Sequence, residues 1–548
     1  MKEKEFRKTI VACALGECVH VAGITNFLRL AEQTDWHTVF LGPAVSIEDA
    51  IQAAVEHKAN ILAVSYRLTP ETGEQLLAEF AESADHLKEN GVQIIFGGTP
   101  PVAEKAKNIG FFDYVFDGSE TIDDTLNYLR GTTASKANGS DTYPQSAIER
   151  IVWKKPFPLL RHHFGQPTMA ATIAGIKKIS AAKALDIISL GIDQDAQENF
   201  FHPERQDVRK KGAGGVPVRT PKDYRMLFEA TRIGNFPLLR TYSGTDDFIQ
   251  LADMYVKTIN NAWAAIPIFW FNQMDGRGPW DLSGSIREHQ KAMVWYGKRN
   301  IPVECNEPHH WGMRDAPDVI FVVSAYISAY TARYFGVKDY IAQMMFNSPP
   351  GTSDLMDLAK MQASLEICEP LINNQFQIYR QTRTGLLSYP LDPNAARAHL
   401  SASIYTQMAL KPDIVHIVGH TEAHHAATAD DIIDASKMAQ RVIENAINGQ
   451  PDMLQDKKLQ ERKNHLIREA MVTIRAIQNI GIHQDGDPIL NAECLSQAVI
   501  DGILDAPHLK NNRYAKGEIR TAIIDGGCEA VDEKGEIIPE PERLHSFL

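Results

Sequence analysis

Long apolar runs are missing from this sequence. None of its 548 residues belongs to an uninterrupted apolar stretch of about eighteen or more, so no transmembrane helix and no membrane partner are predicted. The charged opening MKEKEFRK leads into an apolar segment without a small-residue cleavage site. The sequence therefore predicts no secretory signal peptide.

Cysteine is scarce, and its six residues show no CxxC spacing. This absence argues against a zinc ribbon and against a disulfide framework. It favours reduced thiols, and we expect a cytoplasmic protein. The cysteines are Cys13, Cys18, Cys305, Cys368, Cys494 and Cys528.

Positive charge is also in short supply. The formal net charge is −13, and no Lys/Arg-rich stripe offsets it, which excludes nucleic acid as an expected partner. The content of hydrophobic residues is 44% and that of charged residues is 23%, both typical of a globular enzyme. The length predicts about two to four domains.

Residues 1–130 alternate between short apolar segments and amphipathic segments. The predicted strands are TIVACALG, HTVFLG, ILAVSY, VQIIFGG and YVFDG. Between them, apolar residues recur at helical spacing. The pattern predicts an α/β domain with a doubly wound, flavodoxin-like parallel sheet. The Gly-, Ser- and Thr-rich segment that follows predicts a linker over 131–154.

Residues 155–450 repeat the alternation on a larger scale and contain nine candidate strands. They are TMAAT, DIISLGI, GGVPV, FPLLRTY, AIPIFWF, IPVECN, IAQMMFN, FQIYRQT and DIVHIVG. A closed (β/α)8 TIM barrel needs eight strands, so we expect one of the nine to be something else. A small C-terminal extension of helical and mixed α+β character is predicted over 451–548.

Polar and small residues follow three strands of the first domain at one edge of its sheet. His20 and Gly23 follow the first strand, Ser65 ends the third, and Gly97 and Gly98 end the fourth. Doubly wound sheets bind ligands at this carboxyl edge. The H-x-x-G, serine and Gly-Gly pattern resembles the cobalamin-binding domain of B12 enzymes. The resemblance implies that His20 ligates the cobalt of cobalamin, and that the serine and glycines receive the nucleotide tail.

One position departs from that family's pattern. An Asp is expected two residues before the histidine, and Cys18 stands there with Glu17 beside it. The Asp accepts the second N–H of the histidine and raises its basicity. We expect either that Glu17 takes over this role or that the bond between cobalt and His20 is weaker.

The barrel segment resembles the large subunit of glutamate mutase (methylaspartate mutase) through scattered identities. Examples are PTMAATIAG, FPLLRTYSGTDD and HIVGHTEAHHAAT. In that family the cobalamin domain is a separate small subunit, whereas here the two are fused. The resemblance implies adenosylcobalamin as the cofactor and a radical rearrangement of a carbon skeleton. It also implies that Glu422 holds the adenosine ribose, although the lysine expected just before it is missing.

Charged groups that hold glutamate in that family are absent at the aligned positions. The alignment places Ile173, Gln197 and Tyr242 where the family has three arginines, and the stretch NAWAAIPIF lacks the catalytic glutamate. We expect a small-molecule substrate less anionic than glutamate, with one carboxylate on Arg240. The candidate catalytic residues are Arg240, Tyr242, Glu307 and His310.

Two other functions stay open at this point. A corrinoid-dependent methyltransferase is expected to carry a small helical cap before its cobalamin domain, and only eight residues precede the first predicted strand. A non-catalytic cobalamin-binding protein has no need of a barrel with polar residues at its mouth. We favour the mutase and expect it to be a homodimer.

Overall fold

The structure is a computed structural model that describes residues 8–131, 143–481 and 486–548. The chain divides into two compact units, Met1–Asn138 and Gly139–Leu548. Part of the predicted linker, residues 132–142, lies outside the described residues. The linker prediction is wrong at its end, because Ala147–Lys154 form a helix whose i, i+3, i+4 and i+7 positions are buried.

The first unit contains a parallel sheet of five strands in the order β2-β1-β3-β4-β5. The strands are β1 Thr9–Leu15, β2 His37–Val45, β3 Ile61–Tyr66, β4 Gln93–Gly98 and β5 Tyr114–Phe116. β1 and β3 are buried along their whole length, as expected for central strands that helices cover on both faces. The predicted doubly wound α/β fold is confirmed.

Five helices connect and flank these strands. They are α1 Ala22–Gln33, α2 Ile47–Glu56, α3 Pro70–Glu89, α4 Pro100–Ile109 and α5 Ile122–Leu129. Local sequence starts two of them. The hydroxyl of Ser46 accepts the N–H of Asp49 before α2, and Thr121 forms a capping box with Asp124 before α5.

The second unit contains eight parallel strands in the order β8-β7-β6-β13-β12-β11-β10-β9. They are β6 Leu159–Phe164, β7 Ile187–Leu190, β8 Leu238–Arg240, β9 Ala264–Ala265, β10 Val303–Cys305, β11 Asp339–Phe346, β12 Gln377–Thr384 and β13 Ile414–His416. The two end strands approach each other, since the N–H of Ala262 donates to the carbonyl of Leu239 at 2.8 Å. The predicted TIM barrel is confirmed as a nearly closed one.

Two of the nine candidate strands are wrong, and one true strand was missed. Residues 168–172 begin a helix, with the hydroxyl of Thr168 accepting the N–H of Ala171. Residues 214–218 form only an isolated bridge between Ile192 and Val216. The missed strand is β6, whose sequence LLRHHF carries three consecutive polar residues that hide its apolar character.

The helices of the second unit surround the barrel and form most of the extension. They are α6 Ala147–Lys154, α7 Met169–Ala181, α8 Gln194–Glu198, α9 Pro221–Ala230, α10 Phe248–Ile259, α11 Leu282–Gly297, α12 Glu307–Gly312, α13 Asp318–Tyr334, α14 Asp354–Cys368, α15 Pro393–Gln407, α16 Ala429–Ile447, α17 Lys457–Ile480, α18 Ala492–Ile500 and α19 Glu540–Arg543. Across the described ranges, none of the helices combines the length and apolar character that crossing a bilayer requires.

The extension ends in an antiparallel hairpin that is tied to the barrel by charge. Its strands are β14 Thr521–Ile524 and β15 Gly527–Ala530. Arg462 on α17 forms ion pairs with Asp318 at the start of α13 and with Glu529 on β15. All six cysteines of the chain are buried.

Candidate functional site

A cavity of about 710 Å³ opens at the carboxyl edge of the five-stranded sheet. It brings together five of the six residues that the sequence predicted for the cofactor, namely His20, Gly23, Ser65, Gly97 and Gly98, whereas the sixth, Glu422, belongs to the second unit. The prediction that these strand ends share one site is therefore matched by the geometry of this unit.

The strand register explains how the floor of the cavity is built. Ser65 lies between Ala14 of β1 and Gly97 of β4, and its hydroxyl is 3.5 Å from the carbonyl oxygen of Cys13. A Cβ on Gly97 would meet no atom within 4 Å, so this backbone borders open space. A Cβ on Gly98 would lie 2.7 Å from the Phe96 ring and 3.0 Å from the carbonyl oxygen of Tyr66, so a side chain at this position would force these neighbours to shift.

His20 lies in the loop between β1 and α1, and its side chain is exposed. Cys18 points the other way, since it is fully buried among the apolar residues on one face of the sheet. Within the described residues, no hydrogen bond links His20 to Cys18 or to Glu17. The imidazole is therefore available to a ligand, and no carboxylate of the described residues bonds its second nitrogen.

Sequence reasoning missed a second polar loop at the same cavity. Asp117, Ser119 and Glu120 follow β5 and line the cavity together with Asn26 and Arg67. The signal was available, because the segment DGSE begins at the end of the predicted strand YVFDG of the same sheet.

A network of buried charges crosses the interior of the barrel. Arg161 on β6 and Arg240 at the end of β8 both pair with Glu304 on β10, at 2.9 and 3.0 Å. Trp263 adds a third bond, donating from Nε1 to Glu304 at 2.6 Å. Burial raises the pKa of Glu304, but the two arginines and the hydrogen bonds outweigh it and lower the pKa overall.

Arg161 also connects this network to side chains on two further strands, β7 and β12. Its Nε donates to the hydroxyl of Ser189 at 2.6 Å, and its Nη1 donates to the amide oxygen of Gln381 at 2.7 Å. Gln381 in turn donates to Gln343 on β11 at 2.7 Å. We call Arg161, Ser189, Arg240, Trp263, Glu304, Gln343 and Gln381 the polar layer. It occupies the position where TIM barrels usually stack bulky aliphatic side chains.

Above the polar layer lie Arg383, Tyr242 and His163. The hydroxyl of Tyr242 is 3.3 Å from Nε2 of His163, and the two rings stack at 5.5 Å. The guanidinium of Arg240 lies against the Tyr242 ring at 5.1 Å. Arg383, at the end of β12, makes no hydrogen bond or ion pair with any residue in the described parts of the chain, and burial lowers its pKa.

Glu307 is fully buried at the start of α12, directly after β10. Its Oε2 accepts the N–H groups of Ile268 and Phe269, at 2.7 and 3.0 Å. Burial raises its pKa to about 7, and these backbone hydrogen bonds oppose the rise. The contacts fix the segment after β9, so the geometry gives Glu307 a positioning role.

His309 and His310 follow on the same helix and are also buried. Both ring nitrogens of His310 lack a hydrogen-bond partner among the described residues. Its ring packs near Trp270 and Phe271, with centroids 5.9 and 5.7 Å away. Burial holds the pKa of each histidine well below its ordinary range, so both are neutral.

Glu422 lies in the loop after β13 and is exposed. Its charge acts on Arg383, which places it on the same side of the barrel as that arginine. The residues that sequence reasoning missed in the barrel are Arg161, His163, Glu304 and His416. Arg161 and His163 belong to the missed strand β6, and Glu304 is hidden inside the short strand VEC.

Comparison with known families decides the nature of the first unit. Residues 7–126 match the family model of the B12 binding domain. The first unit is a B12-binding domain. The cavity residues fit this group, because an exposed imidazole stands beside a glycine floor that leaves room for a ligand. The sequence prediction of a cobalamin-binding domain is confirmed, whereas the likeness of the barrel to glutamate mutase stays a prediction.

Two solved structures are similar to parts of the chain. One is a cobalamin-binding protein from Desulfitobacterium hafniense DCB-2, with 19% identity and a TM-score of 0.21; the match covers 24% of this chain and 60% of that chain. The other is 2,3-dimethylmalate lyase, a PEP mutase/isocitrate lyase superfamily member, with 10% identity and a TM-score of 0.28; it covers 62% of this chain and 99% of that chain. Both scores are too low to support an inference about function. No curated protein matches the chain.

Proposed function

We propose that this protein is an adenosylcobalamin-dependent carbon-skeleton mutase that rearranges a small carboxylic acid. The observation that carries the proposal is that one chain contains both a B12-binding domain and a barrel. Inside this barrel, buried arginine N–H groups have no hydrogen-bond partner among the described residues. Bound adenosylcobalamin supplies an organic radical through homolysis of its cobalt–carbon bond. The residues of the chain then have to bind the substrate and exclude water.

His20 is the proposed ligand of cobalt, because neutral imidazole binds transition metals well. Ser65 and the glycines at positions 23, 97 and 98 are proposed to receive the nucleotide tail in the cavity of about 710 Å³. Glu422 is proposed to hold the adenosine ribose. The missing carboxylate partner of His20 predicts a weaker bond to cobalt than in proteins that have one.

Arg383 and Arg240 are proposed to hold a substrate carboxylate, with Tyr242 and His310 as further contacts. Arginine suits this task because its charge persists and its N–H groups match carboxylate oxygens. The apolar and aromatic surroundings keep the site poor in water, which protects a reactive radical from side reactions. Glu307 acts indirectly, by fixing the backbone of Ile268 and Phe269.

The expected substrate was less anionic than glutamate, because three aligned positions lack arginine. The barrel nevertheless buries three arginines on other strands: Arg161, Arg240 and Arg383. The lack of arginine at the three aligned positions therefore no longer supports a substrate with less negative charge than glutamate.

The test is electron paramagnetic resonance of the full-length protein loaded with adenosylcobalamin. We expect a coupled signal from cob(II)alamin and an organic radical when the correct acid is added, and no such signal with glutamate. The His20→Ala variant should still fold but lose the histidine-on spectrum of the bound cofactor. Turnover with methylcobalamin, combined with inert adenosylcobalamin, would favour the corrinoid-dependent methyltransferase instead.

Two properties accompany the proposal. The buried cysteines form no disulfide within the described residues, which supports a protein of the cytoplasm. The homodimer stays a prediction, and sedimentation analysis of the purified chain would test it.

A further inference from the structure

Positive charge exceeds negative charge inside the barrel. The side chains of Arg161, Arg240 and Arg383 are 1%, 0% and 6% exposed. In the polar layer, as far as the chain is described, their only carboxylate partner is Glu304, and Arg161, Arg240 and Trp263 already occupy both of its oxygens. A buried charge without a counter-ion is costly, so this excess calls for an anion.

Among the described residues, no other carboxylate forms an ion pair with these three arginines. Glu307 is held by backbone N–H groups, and its raised pKa of about 7 leaves it only partly ionised at neutral pH. Asp275 pairs with Arg277 at 2.6 Å. The charge of Glu422 acts on Arg383 from the rim, but the two side chains form no ion pair within the described residues.

The buried histidines around the barrel mouth are neutral and do not act as counter-ions of the arginines. Their pKa values reflect the positive potential that the arginines create. Burial lowers the pKa of His163, His309 and His416 first, and the arginines lower it further. Neutral imidazole offers one donor and one acceptor to a ligand. The same field would act against any other cation placed there.

Unsatisfied atoms mark where a ligand is needed. Nε and Nη1 of Arg240, Nε of Arg383 and both ring nitrogens of His310 have no hydrogen-bond partner among the described residues. Buried polar groups are nearly always partnered in native proteins. Oxygen atoms of a ligand would satisfy the guanidinium N–H groups, and a hydroxyl or carbonyl would satisfy His310.

We infer that the substrate is a carboxylic acid without an ammonium group, whose carboxylate lies at Arg383 and Arg240 and whose hydroxyl or carbonyl lies at His310. The inference rests on the proposed function, since it assigns a substrate class to the same site. An ammonium group would be repelled by the arginines, and the oxygens of Glu304 are already taken.

The test is a set of matched ligand pairs that differ only in this group. Isothermal titration of the full-length protein, with and without adenosylcobalamin, compares 2-hydroxy, 2-oxo and 2-amino acids of four to six carbons, each with one or two carboxylates. We expect at least one hydroxy or oxo acid to bind tenfold or more tightly than its amino counterpart. Equal or tighter binding of the amino acids, or no binding of any hydroxy or oxo acid, overturns the inference.

Three variants at two positions of one strand test the role of Arg383 and provide the control. Arg383→Gln should weaken the binding of the preferred acid tenfold or more, and Arg383→Lys should restore part of it. Arg380→Gln, on the outer face of the same strand β12, should bind like the wild type. Thermal unfolding checks that each variant folds. Wild-type affinity in a folded Arg383→Gln variant would remove this arginine from the site.

The inference and the proposed function fail separately. If an amino acid produces the radical signal, the mutase proposal stands and the inference falls. If ammonium-free acids bind with the expected preference but no acid produces a radical with adenosylcobalamin, the inference stands and the mutase proposal falls.

Discussion

Replacing Glu304 by Gln should destabilise the barrel strongly, since this carboxylate is the shared partner of two buried arginines. Its oxygens lie 2.9 Å from Nη1 of Arg161 and 3.0 Å from Nη2 of Arg240. With about 4 Å between charge centres and an effective dielectric constant of about 20, each pair contributes about 4 kcal/mol. The cost of burying the carboxylate offsets part of this sum, so we expect the variant to lose about 3–5 kcal/mol.

Urea unfolding, followed by tryptophan fluorescence, measures this loss. Every tryptophan except Trp36 lies in the second unit, so the emission reports mainly on the barrel. Glu533→Gln is the control, because its pair with Arg520 at 3.1 Å is exposed and should contribute nothing measurable.

A double-mutant cycle separates charge from packing. Arg240→Gln in the Glu304→Gln background should cost less than Arg240→Gln alone, because the arginine has already lost its partner. A loss below about 1 kcal/mol for Glu304→Gln, or strict additivity in the cycle, would refute the view that this carboxylate holds the arginines in place.

Three further predictions concern both units. Gly97→Leu should leave the fold intact, because its Cβ meets no atom within 4 Å, and should weaken cobalamin binding tenfold or more in an equilibrium titration. Gly98→Ala should instead lower the thermal stability, since its Cβ would lie 3.0 Å from the carbonyl oxygen of Tyr66. Glu307 has a pKa of about 7 in the folded protein against an ordinary 4.5, so protonation of this carboxyl group favours the folded state of the barrel. This carboxyl alone should therefore cost the barrel about 3 kcal/mol between pH 4.5 and pH 7.5. The buried histidines titrate with the opposite sign in both proteins, so the Glu307 contribution is measured as the difference between the wild type and Glu307→Gln in urea unfolding at the two pH values.

The sequence predicts the B12-binding domain well, because its signals are local. Strands β1, β3 and β4 are short apolar runs, and the residues that follow each run fall at the same sheet edge whatever the details of the helices. His20, Ser65 and Gly97 could therefore be placed together without any knowledge of their contacts. The direction of the Cys18 side chain could not be predicted, because the direction of a side chain in a loop depends on tertiary packing.

The barrel interior escapes such reasoning for a physical reason. Periodicity identifies strands by their apolar residues, whereas the polar layer places Arg161, Glu304 and Gln381 inside strands. Each becomes tolerable only through partners on other strands, and one sequence does not show these pairings. Arg383 and Tyr242 could be named as strand-end residues, but their neighbours His163 and His416 could not.

The bond between Arg161 and Gln381 joins residues 220 positions apart. At the usual rates of about 5–20 residues per second, a ribosome needs roughly 10–45 s to make that length of chain. During this interval the arginine of β6 has been made but its amide partner has not. Nascent chains interrupted before β12 should consequently stay open and bind chaperones, and the ring can close only after β13, which lies between β12 and β6, has also been made.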